Sequence, residues 1–98
     1  MKIKWKDHAR QRFWERIARF DIGKEEVEWE TKKQTVRFFQ SETNTIKTIF
    51  EIREKMVTVI KTETVKKIQI ISIWESNEYE VKAWMQKQTN ASAAGPQS

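Results

Sequence analysis

The chain has 98 residues, with 19 Lys and Arg against 14 Asp and Glu, a formal charge of +5 and a pI near 9.6. One domain with a modest core fits this length, which excludes a two-domain enzyme with a nucleotide-binding half. The absence of cysteine excludes a disulfide framework, a zinc finger, a thiol nucleophile and an iron–sulfur cluster. Two glycines and one proline leave no Gly-rich phosphate loop.

The excess charge is concentrated. Residues 1–20 carry Lys2, Lys4, Lys6, Arg10, Arg12, Arg16 and Arg19 against Asp7 and Glu15, which is the whole +5; beyond them acidic and basic residues balance. No apolar run approaches the ~18 residues of a spanning helix, and no signal-peptide stretch follows the basic start. A soluble, cytoplasmic protein with no membrane association is expected.

In chain order, Lys2-Ile3-Lys4-Trp5-Lys6 alternates polar and apolar, as a short edge strand or an ordered lead-in would. Asp7 is the expected N-cap of a helix running to about Phe20, with Ala9, Phe13, Ile17 and Phe20 as its buried stripe and Trp14 well off it. A second helix is expected from Lys24 to about Lys33, with Gly23 as N-cap and Ile22 stapled onto Val27. Four runs rich in β-branched and aromatic residues follow: Thr35–Gln40, Thr45–Arg53, Met56–Thr62 and Val65–Glu75. Their short polar connections predict an antiparallel meander. The last strand is apolar on both faces, with Ile68, Ile70 and Trp74 on one side and Ile71 and Ile73 on the other, so it should be central. A helix over Asn77–Gln88 and a flexible tail over Thr89–Ser98 complete the chain. The expected fold is α+β: two N-terminal helices on a four-stranded antiparallel meander sheet, with a C-terminal helix, all in one domain over residues 1–88.

On the first helix His8, Arg12, Arg16 and Arg19 are spaced 4, 4 and 3, which places them within about 80° of one face. Such a comb of guanidiniums suits phosphates. A neutral imidazole at its end could act as a general base while the arginines stabilise phosphoryl charge. A basic stripe on a helix is, however, most often a solvated face, with Arg12 and Arg16 paired to Glu15 or other carboxylates. The aromatic rings divide similarly: most should build the core, with Trp5, between Lys4 and Lys6, the one expected to lie open for base stacking. The candidate nucleic-acid contacts are thus Lys4, Trp5, Lys6, Arg10, Arg12, Arg16 and Arg19. One histidine without an ordered carboxylate cluster supports no metal site and no cofactor.

The run His8-Ala9-Arg10-Gln11-Arg12, followed by Glu15-Arg16, resembles the His-Ala-x-x-Arg-x-x-Glu-Arg opening of a group of small prokaryotic domains related to the RelE and BrnT ribonuclease toxins. Ile22-Gly23-Lys24-Glu25-Glu26-Val27 is similar to that group's second signature, and Ile70-Ile71-Ser72-Ile73-Trp74 to its closing strand, over roughly residues 6–75. Five residues separate Arg16 from Ile22 where the group usually has one, and Trp74 stands where it has Tyr. The resemblance implies a barnase/EndoU/colicin/RelE-like fold and metal-independent RNA cleavage by attack of the 2′-OH on the adjacent phosphate. His8 would be general base or acid, Arg12 and Arg16 would hold the phosphate, and Ser72 would orient a phosphate oxygen. Tyr79 and Lys61 are the candidates for a second proton-transfer group. An indole cannot supply the phenolic proton of that Tyr, so the alternatives are a non-catalytic nucleic-acid-binding module of a mobile element, or an accessory protein whose basic helix docks an acidic, antitoxin-like partner. Exposed strand edges leave a homodimer open.

Overall fold

The computed structural model describes residues 2–33 and 36–97, with side chains described to residue 88. Thr35, the expected start of the second strand, and Ser98 lie outside the described residues. The elements are β1 (Lys2–Trp5), α1 (Asp7–Arg12), α2 (Lys24–Lys33), β2 (Arg37–Gln40), β3 (Thr45–Ile52), β4 (Lys55–Glu63), β5 (Lys67–Glu75) and α3 (Glu78–Gln97). The α+β class holds. The sheet, however, has five strands in the order β1-β5-β4-β3-β2, and β1 pairs parallel with β5, so it is mixed rather than a four-stranded antiparallel meander. Parallel pairing needs a long crossover, and here it comprises everything between β1 and β5. No local turn signal announces such a pairing.

Two local devices set the register of the meander. The β3–β4 hairpin turns on Arg53 and Glu54, with φ of 46° and 71°. Positive φ at both central residues is the type I′ geometry, whose twist matches the strands, although neither residue is the Asn or Gly that favours it. Arg53 is held there by its side chain, which donates to Glu26 and to the Asp21 carbonyl. The second device is a β-bulge: opposite Ile60 and Lys61 stand Ser72 and Ile70, which leaves Ile71 as the extra residue. The bulge shifts the alternation by one. Ile68, Ile70 and Ile73 are therefore buried on the helix-covered side, with Ile70 and Ile73 in the main core, and Trp74 turns to the other face, against the expected division.

The main core lies between that first face and the two N-terminal helices. Ala9, Phe13, Ile17, Ile22 and Val27 pack on Phe50, Ile52, Val57, Val59, Ile70 and Ile73. Asp7 is the first helical residue, not the cap; Lys6 takes that position and has no side-chain capping bond. Past Arg12 the helix widens into a π turn over Phe13–Ile17, closed by the Ala18 N–H on the Phe13 carbonyl, and then tightens into a 3₁₀ turn over Ala18–Phe20. Steps of four residues drift about 40° each around an α-helix. The wider turn reverses that drift, so Ala9, Phe13 and Ile17 all stay buried. Asp21, left-handed at φ 62°, ends the segment.

α2 has the expected bounds and cap: the Gly23 N–H donates to Glu26 Oε2 at 2.7 Å, and Ile22 and Val27 are both buried. Its C-terminal end is tied to the sheet by Lys61, whose fully buried Nζ donates to the Thr31 carbonyl and to Glu63 Oε2, both at 3.0 Å. The helical backbone of α3 continues to Gln97, through the stretch expected to be a tail; Ala91, Ala93 and Ala94 are strong helix formers. Among the described residues no helix is long and apolar enough to cross a membrane.

Candidate nucleic-acid interface

Of the residues singled out in the sequence, the first helix brings His8, Arg12, Arg16 and Arg19 together. Ala9, Phe13 and Ile17 fix its buried side, and the widened turn keeps the charged residues, like the apolar ones, from spiralling away. Arg12 Nε donates to His8 Nε2 at 3.5 Å, the far end of hydrogen-bonding range. Arg12 reaches Glu15, and Arg19 reaches Glu75 at the end of β5, each at 4.0 Å. Arg16 is exposed and makes no ion pair among the described residues. Arg10, on another side of the helix, pairs with the exposed Asp7 at 3.7 Å. Solvent-exposed pairs this long contribute little and exchange readily. The stripe is thus a solvated face, loosely neutralised by its neighbours.

Ser72 does not join this group. It pairs with Ile60 on the side of the sheet that also carries Trp74, while its neighbour Ile73 lies in the core beneath the first helix. Trp74 is committed to structure. Its Nε1 donates to Glu80 Oε1 at 2.9 Å, and Glu80 also receives Lys47 Nζ at 2.7 Å and the Asn77 N–H at 2.9 Å. Asn77 Oδ1 accepts from the Glu80 N–H in return, which completes a capping box at the start of α3. Burial pushes the Glu80 carboxyl up, but Lys47, the Asn77 N–H and Trp74 outweigh it, and the net value lies below the ordinary carboxylate range. The candidates for a second proton-transfer group are elsewhere too: Tyr79 is exposed on α3, and Lys61 is enclosed beneath α2.

Trp5 is not an open ring. It is 8% exposed, lies edge-on to Phe13 with centroids 5.5 Å apart, and donates its Nε1–H to Glu28 at 2.7 Å. The signal was present in the alternation: Trp5 shares its parity with Ile3 and must face the core with it, while Lys2 and Lys4 point the other way. The exposed indoles are Trp14, at 62%, and Trp29, at 63%. Trp14 rests edge-on against Phe13 at 5.1 Å, and Lys33 stands over the Trp29 ring.

Among the described residues no group of three or more His, Asp or Glu could hold a metal ion. No family model, curated protein or solved structure matches the chain.

Proposed function

We propose that the protein binds nucleic acid, RNA first, through the phosphate backbone, and that its first helix is the principal contact. The observation that carries this reading is the weakly neutralised comb of Arg12, Arg16 and Arg19 on a helix whose adjoining side is locked into the core. Guanidiniums on a rigid element meet phosphates with little loss of side-chain order. Backbone contacts of this kind discriminate poorly between sequences.

The placement of Ser72 on the other face, and of His8 Nε2 against Arg12, favours binding over catalysis. Cleavage by 2′-OH attack needs groups on both sides of one phosphate, and of His8, Ser72, Tyr79 and Lys61 it is His8 alone that lies beside the comb. The test is fluorescence anisotropy of labelled single-stranded RNA across a salt series. Three phosphate contacts to a single strand correspond to a log–log slope near −2, so R12Q/R16Q/R19Q should lower the slope by about that amount. A salt-independent affinity, or one the triple substitution leaves unchanged, refutes the reading. RNA should stay intact for hours with the wild type. Cleavage abolished by His8→Ala, and indifferent to chelator, would replace this reading with the endoribonuclease.

A further inference from the structure

The second face of the sheet is covered unevenly. α3 lies over its β2–β3 side, where Lys47 meets Glu80 and Lys87 stands over Phe38. The β1–β5 side has a different character. Parallel register places Lys2 directly opposite Lys67 and Lys4 opposite Gln69, and Gln69 in turn faces Thr62 of β4. Because Ile3, Trp5, Ile68 and Ile70 point into the helix-covered side, Lys2, Lys4, Lys67, Gln69 and Thr62 share the other face. None of the three lysines makes an ion pair among the described residues. Glu63, paired in register with Ile68 beside Lys67, is on the opposite face and already holds Lys61 and Arg37.

Like charges directly opposite one another on adjacent strands are destabilising. A lysine pair in that arrangement, with a third lysine beside it and no acidic neighbour, is relieved by an anion from outside. We infer that Lys2, Lys4 and Lys67 form a second phosphate-binding surface, on the sheet face, for the same nucleic-acid strand that the first helix contacts. The inference rests on the function proposed above. The two surfaces adjoin: β1 ends at Trp5, Lys6 follows it, and the first helix starts at Asp7. Basic groups thus run from the sheet face, round the free edge of β1, to the helix. The ligand is a strand able to bend around that edge, and hence an unpaired one. Gln69 and Thr62 add neutral donors beside the lysines.

The competing role for lysines on an edge strand is to deter strand pairing between molecules. One set of variants separates the two. K2Q/K4Q/K67Q, with the arginines intact, should lower the salt slope for single-stranded RNA by about 2 and weaken binding to duplex less. K2R/K4R/K67R should keep the wild-type slope. Folding is checked by circular dichroism and association by light scattering. If the glutamine variant keeps the wild-type slope while R12Q/R16Q/R19Q loses its share, the sheet surface is refuted and the helix reading stands; self-association of that variant would then assign the lysines to edge protection. If the wild type binds no oligonucleotide, or binds phosphatidylserine vesicles instead, both proposals fall together.

Discussion

Two residues concentrate the stability arguments that can be made one side chain at a time. Glu80 is a buried carboxylate whose folded pKa lies below its unfolded value, so its contribution is present above the unfolded pKa of about 4.3 and is lost as pH falls through the folded value. Acid titration should therefore release the start of α3 and free the Trp74 indole, seen as a shift in tryptophan emission at a pH below the ordinary carboxylate range. Glu80→Gln leaves Lys47 without its charge partner and should cost about 2 kcal/mol in denaturant unfolding, while flattening that acid limb. Glu54 makes the opposite case. It is exposed, left-handed at φ 71°, and among the described residues its side chain makes no hydrogen bond or ion pair that would hold it there. Glu54→Gly should raise stability by about 1 kcal/mol, whereas the same change at Arg53 would sacrifice its bonds to Glu26 and Asp21. Unchanged stability at Glu54 would show that the hairpin tolerates its geometry without strain.

At the scale of elements, Lys61 ties α2 to the sheet. Burial, the larger influence, lowers its pKa, and Glu63 works against that shift. Lys61→Ala would take the ammonium from the Thr31 carbonyl and leave Glu63 with Arg37 alone, and should cost about 3 kcal/mol or more. Lys61→Met keeps the apolar stem and should cost less; equal losses would mean that the ammonium, not the stem, does the anchoring. The sequence showed α2, its cap, the strand runs and the basic helical face, because each depends on neighbours within a few residues. Three features were hidden, each with a definable cause. The bulge at Ile71 has no composition of its own, so it inverted the facing of Trp74 and Ile73. The parallel place of β1 depends on a partner more than sixty positions away. The widened turn at Phe13–Ile17 depends on how the helix fits the sheet. The site was legible to the same extent: the comb from spacing, Trp5 misjudged from its flanking lysines rather than from its parity with Ile3, and Ser72 misplaced because the family resemblance carries no face assignment.

For the molecule as a whole, the +5 of the sequence becomes a position: around the edge of β1 and along the first helix, with the remaining residues balanced in charge. The pairing of Lys2 with Lys67 also fixes an order of events during synthesis. The β2–β5 meander is built from neighbours in the chain and can close early, whereas β1 must wait until the strand some sixty-five positions later has been made. Until then the most basic fifth of the polypeptide has no sheet to lie on, and the exposed flank of β5 has no partner. Docking of the N-terminal strand and helix is thus the late, slow step, and the proposed phosphate-binding surface comes into existence only once β5 has been made.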